Sequence, residues 1–171
     1  AGPDQELCSS DPQTTMQGSA IIAPASGSWQ LVSGTGTIVD PSSPTTQVID
    51  LAIGENIFLW TVSNGPCANS LTEDLVTIYV FDENNPDAGA GPDQQVCTPV
   101  TQAIMAGTPY TFPATGTWTL VSGQGTINDP GNPNGVITDL GIGVNTFRWE
   151  VYNGGCTNQL TSDEVDIVLF D

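Results

Sequence analysis

"NTFRWEVYNGGC" runs from Asn145 to Cys156, and "NIFLWTVSNGPC" from Asn56 to Cys67. In the first, Phe147, Trp149 and Val151 alternate with Thr146, Arg148 and Glu150. Successive side chains of a strand point to opposite faces, so this alternation marks a strand with one face buried and the other in water. "EVDIVLF" at 164–170 has the same character, with Val165, Ile167 and Leu169 on one face and Glu164, Asp166 and Val168 on the other. The Asn-Gly pair that follows the tryptophan strand is a turn signal.

The two quoted stretches are equivalent positions of one repeat. "AGPDQELC" at Ala1–Cys8 returns as "AGPDQQVC" at Ala90–Cys97. "WQLVSGTGTI" from Trp29 returns as "WTLVSGQGTI" from Trp118, and "VTIYVFD" ending at Asp82 returns as "VDIVLFD" ending at Asp171. The offset is 89 residues each time, without a gap. About half of the paired positions are identical. Two domains are therefore expected, 1–82 and 90–171, joined by a linker at 83–89. The chain begins and ends at matching phases of the repeat, which leads us to expect a longer array.

Each unit reads as all-β. Turn signals at Gly34–Gly36, Asp40–Pro41, Gly54 and Asn64–Gly65 divide about seven strands, near 4–8, 14–22, 28–33, 36–39, 47–51, 56–63 and 75–81. No segment has a helical period. Short, evenly spaced strands over such a length imply an immunoglobulin-like β-sandwich, here two in tandem. Trp29, Trp60, Trp118 and Trp149 lie inside strand patterns and are read as core rather than as a sugar-binding platform. Asp50 and Asp139 each precede a tight turn and are read as turn or capping residues.

Composition removes several functions. Nineteen acidic residues face a single cation, Arg148, with no lysine and no histidine, for a formal charge of −18. Nucleic acid and anionic membrane are unsuitable partners, because both are bound through Lys and Arg. No apolar run approaches the ~20 residues that cross a bilayer. Without histidine or lysine, nucleophilic triads and Schiff bases are excluded, and no carboxylate pair looks buried enough for glycosidase chemistry. The chain is not expected to be an enzyme. The bare GxG at Gly34–Gly36 and at Gly123–Gly125 has no helix after it and is a turn signal rather than a phosphate loop.

Each repeat has two cysteines, Cys8 with Cys67 and Cys97 with Cys156. Their equivalent placement leads us to expect two disulfides, one within each domain. Such bonds belong to an oxidising, extracellular compartment. Two thiols per repeat and no histidine make a poor zinc site.

"FDENNPDAGAGPDQ" from Phe81 to Gln94 concentrates charge at the joint between the repeats. Asp82, Glu83, Asn84, Asp87 and Asp93, with Asp163 and also Asp129 from nearby loops, offer the oxygen ligands that calcium takes. Pro86 and Pro92 stiffen the stretch. Calcium at this joint is one expectation, and a solvated polar linker is the other. Asp4, Asp40 and Asp74 hold the equivalent places in the first copy and would form half of a preceding joint.

"AGPDQ..C", "G(S/T)W.LVSG.GTI", "DP..P" and "G.N.F.W.V.NG.C" together resemble the tandem repeats of very large cell-surface proteins of Bacteroidetes-type gliding bacteria, such as the SprB-type gliding-motility adhesins. The resemblance covers both copies nearly end to end. It implies export to the bacterial cell surface, neighbouring repeats as partners, and a part in adhesion or gliding motility. It transfers no ligand-binding residue. Taken together, these readings give a disulfide-stapled, calcium-stiffened stalk segment of a secreted adhesin. The rival is a polysaccharide-binding module, with Tyr110 and Phe112 in "GTPYTFPATG" as its aromatic contacts; the first copy has Ile21 and Ala23 there.

Overall fold

The computed structural model describes residues 1–67 and 70–171. All its described regular elements are strands. The first seven are β1 (Gln5–Cys8), β2 (Thr14–Thr15), β3 (Ser26–Ser33), β4 (Thr37–Ile38), β5 (Gln47–Ile49), β6 (Gly54–Ser63) and β7 (Leu71–Phe81). The second seven are β8 (Gln94–Cys97), β9 (Ala103–Ile104), β10 (Thr115–Ser122), β11 (Thr126–Ile127), β12 (Val136–Thr138), β13 (Gly143–Tyr152) and β14 (Leu160–Phe170).

In the first set, a four-stranded sheet has the order β1-β7-β6-β3 and a three-stranded sheet the order β2-β5-β4. The second set repeats this as β8-β14-β13-β10 and β9-β12-β11. The last two long strands pair with the third in one sheet while the short strands form the other, which is the immunoglobulin-like arrangement. The first strand joins the last one in parallel, Gln5 opposite Ile78 through Cys8 opposite Phe81, and Gln94 opposite Ile167 through Cys97 opposite Phe170.

The chain separates into two compact units. One comprises Ala1–Glu83 with Gly154–Cys156, and the other Asn84–Asn153 with Thr157–Asp171. This differs from the expected linker at 83–89. Glu83 belongs to the first unit, where its amide donates to Ser9 Oγ. Residues 84–89 are tied into the second. The Ala88 amide donates to Thr161 Oγ1 at 2.8 Å and the Gly89 amide to Thr108 Oγ1 at 3.1 Å, while Asn85 Oδ1 accepts from the Thr111 amide. A segment fastened by these bonds is held by the second unit.

The strand alternation appears as burial. Phe58 and Trp60 on β6 and Val76, Ile78 and Val80 on β7 line the first core, with Trp29, Met16 and Val48 facing them. Phe147, Trp149, Val151, Val165, Ile167 and Leu169 line the second, with Trp118, Met105 and Ile137. In each core two indoles meet at 4.9 Å between ring centroids. The tryptophans are core, as their strand positions imply, and each indole N–H has an acceptor: Pro44 O, Ser19 Oγ, Pro133 O and Thr108 O. Burying such large rings with their N–H groups satisfied supplies much of the apolar stabilisation of a small domain. Gly27 and Gly116 have no side chain for a physical reason, since a Cβ at either would overlap the indole of Trp60 or Trp149.

The expected strand at 14–22 is mostly irregular. Only Thr14–Thr15 pairs regularly; beyond it the Met16 and Gly18 amides donate to the Thr46 and Pro44 carbonyls, and a Cβ at Gly18 would lie 2.9 Å from the Trp29 ring. Asp50 and Asp139 both sit at φ 57°, the left-handed region that Asp tolerates in turns, in agreement with their reading as turn residues.

Candidate functional site

The sequence offers two sets of candidate residues, the carboxylates and the cysteines.

Of the expected calcium ligands, Asp82 and Glu83 lie in the first unit, and Asn84, Asp87, Asp93 and Asp163 in the second. Asp163 Oδ2 accepts from the Ala90 amide at 2.9 Å, and Asp93 Oδ1 accepts from the Asp166 amide at 2.9 Å. Both bonds fasten the start of the repeat onto its last strand, β14. The first unit has the same fastening. Asp4 Oδ1 accepts from the Thr77 amide at 2.8 Å, and Asp74 Oδ2 accepts from the amino group of Ala1 at 2.6 Å. That ammonium holds the Asp74 carboxyl below the usual carboxylate range, by hydrogen bonding first and by charge second. Asp87 Oδ1 accepts from Asn158 Nδ2. Asp40 folds onto its own turn, accepting from the Ser42 hydroxyl and amide, and those bonds lower its pKa.

Among the described residues, no three His, Cys, Asp or Glu side chains come together as a metal-holding group. Asp4, Asp93 and Asp163 accept from backbone amides, Asp74 from the amino group of Ala1, and Asp87 from the Asn158 side chain.

The cysteines differ more sharply from expectation. Cys8 is bonded to Cys156, 148 residues away, with a Cα–Cα distance of 4.8 Å. Cys67 and Cys97 are free and exposed. The expected pairs Cys8–Cys67 and Cys97–Cys156 are therefore not formed, and strand direction explains why. Cys8 lies opposite Phe81, the last residue of β7, whereas Cys67 follows β6, whose final residue, Ser63, lies opposite Leu71, the first residue of β7. The length of β7 separates them by roughly 30 Å at ~3.3 Å per residue. A disulfide needs Cα atoms within about 7 Å. The same geometry keeps Cys97, opposite Phe170, away from Cys156.

The turn Gly154–Cys156 is counted in the first unit although its sequence belongs to the second repeat. It lies against Glu6, Leu7 and Phe81. A Cβ at Gly154 would overlap the Phe81 ring, and one at Gly155 would lie 2.9 Å from the Glu6 carbonyl oxygen. Cys156 Sγ sits 3.6 Å from the Phe81 carbonyl oxygen. Two consecutive glycines permit this close approach. The sequence reading assigned no role to Gly154, Gly155 or Phe81; the double glycine before the cysteine was the available signal.

It also assigned no role to Asn56 and Asn145. Asn145 is buried on β13, where Oδ1 accepts from the Gln124 amide at 2.8 Å and Nδ2 donates to the Gly141, Gly143 and Ile167 carbonyls. Asn56 does the same with Thr35, Ala52 and Ile78. These amides lock the GxG turns to the sheet. A Cβ at Gly34 or Gly123 would lie 2.6 or 2.7 Å from the asparagine oxygen.

The aromatic pair proposed for sugar contact divides. Tyr110 packs 6.2 Å from the Trp149 ring and donates its hydroxyl to Gly131 O, while Phe112 is exposed.

No protein-family model matches the chain, and no curated protein matches it. Among solved structures, it is similar to extracellular domains 3–5 of Drosophila OTK, with 14% identity, 99% of this chain and 60% of that one covered, and a TM-score of 0.42. It is also similar to repeats EC22–24 of mouse cadherin-23, with 16% identity, 99% and 63% covered, and a TM-score of 0.39. A PKD domain of a human protein covers 48% of this chain at 18% identity and a TM-score of 0.40, with 78% of that domain matched. Likeness at this level ties the chain to the activity of none of them.

Proposed function

We propose that the chain is a spacer segment of an exported, adhesion-type surface protein, built from sandwich repeats in series. The observation that carries this reading is the repetition itself. Two copies at an offset of 89 residues keep the same core, the same asparagine lock and the same aspartate fastening. A disulfide between Cys8 and Cys156 fits an oxidising, extracellular setting. The resemblance to repeats of gliding-bacterium adhesins supports placing the array on a bacterial cell surface, in adhesion or gliding.

Calcium is not needed in this reading. The charge of −18 favours solubility and mutual repulsion between neighbouring strands of the surface layer. Antibodies raised against the chain should label intact, unpermeabilised cells, and surface proteolysis should remove the label. Labelling only after permeabilisation overturns the proposal. The second reading, a polysaccharide-binding module, is favoured by one observation, the exposed Phe112. Retention of the chain on a polysaccharide resin, lost on Phe112→Ala, would replace the spacer reading with that one.

A further inference from the structure

Cys8 and Cys97 occupy one position of the repeat, and Cys67 and Cys156 another. The structure bonds a cysteine of the first kind from one copy to a cysteine of the second kind from the next, Cys8 to Cys156. That leaves one of each kind, Cys97 and Cys67, as exposed thiols.

The surroundings show the same asymmetry. β8 pairs with β14 in the register in which β1 pairs with β7, so Cys97 lies beside Phe170 as Cys8 lies beside Phe81. On the first unit this surface carries the Gly154–Cys156 turn, and Phe81 is only 3% exposed. On the second, Phe170 is 48% exposed, and the thiol next to it is exposed as well. An exposed phenylalanine beside an exposed thiol is thus half of an assembly whose complete form is present elsewhere in the same molecule.

We propose that Cys97 and Phe170 form a receiving site for the turn cysteine of another repeat of this kind, that Cys67 is the matching donor, and that successive repeats are therefore linked by a ladder of disulfides. This rests on the array reading of the chain. The reaction is an oxidation: two thiols lose two protons and two electrons and form one S–S bond, and glutathione disulfide takes up both and becomes two glutathione thiols. Occupancy of the site would cover Phe170 as Phe81 is covered, removing an apolar side chain from water. The Cys67 turn differs at one position. Pro66 stands where Gly155 stands, and there a Cβ comes within 2.9 Å of a backbone oxygen. The backbone must give way for that turn to seat, so it should couple more slowly than a Gly-Gly-Cys turn.

The test joins two full copies of the chain in series through a second copy of the 83–89 sequence. The fusion is oxidised with glutathione disulfide and digested without reduction. The expected result is Cys8–Cys156 within each copy and a new link from Cys97 of the leading copy to Cys67 of the following one. Free thiols should remain only at the leading Cys67 and the following Cys97. Pro66→Gly in the following copy should speed the link several-fold. If both fusions form Cys8–Cys156 yet keep the two central thiols free, the ladder is overturned, while the array reading stands on its repetition. If Cys8 pairs with Cys67, or linkage is indiscriminate, the template is absent and the proposal fails with it.

Discussion

At the scale of single residues, Asp93 and Asp163 each accept from a backbone amide that fastens the start of the second repeat to its last strand. Asp163 holds the amide of the buried Ala90. Asp163→Ala should therefore destabilise the second unit by about 1 kcal/mol, the ordinary worth of such a bond, and should do so equally in calcium and in chelator. Urea denaturation in both buffers measures this, and a loss confined to the calcium buffer would restore the ligand reading. Asp40 provides a pH test. Its hydrogen bonds from Ser42 hold its pKa below the ordinary value of 3.8. A carboxyl depressed in the folded state adds stability above its unfolded pKa, and loses it as pH falls through the lower, folded value. Ser42→Ala should move the Asp40 titration upward in carbon-detected NMR, toward that ordinary value. An unmoved titration would mean that the Ser42 bonds do not form in solution.

At the scale of elements, β13 carries four inward residues in alternation, Asn145, Phe147, Trp149 and Val151. Removing the Trp149 ring opens a cavity beside Trp118, and Trp149→Ala should cost about 3–5 kcal/mol. The two cores are separate clusters, so hydrogen exchange should show protection falling in β10, β13 and β14 while β3, β6 and β7 keep theirs. Loss of protection in both sets would mean the cores are coupled. The apolar members of this strand were legible in the sequence because burial of one face imposes period two. Asn145 was not legible, because a polar residue at an inward position has no distinguishing pattern until its acceptors are placed. The strand expected at 14–22 is regular only at Thr14–Thr15; beyond it the Met16 and Gly18 amides still donate to the Thr46 and Pro44 carbonyls, but no regular pairing continues toward residue 22.

At the scale of the whole molecule, the repeat and the sandwich could be read from the chain, and the disulfide partner could not. Within a repeat, the two cysteines are equivalent in type and number, which suggests pairing. Only the direction of β7 shows that they stand at its opposite ends. The bond that does form changes how the chain would behave under load. Residues 9–155 lie inside a loop closed by Cys8–Cys156. Dragged from its two ends, the oxidised chain passes force through sulfur and not through the strands inside the loop. At ~3.4 Å per extended residue, about 500 Å of chain is thereby withheld from stretching. Single-molecule pulling should show that length appear only after a reductant is added, and its appearance in the oxidised chain would contradict the bond. The oxidised chain is thus a tether whose slack within the loop is released by reduction and not by unfolding.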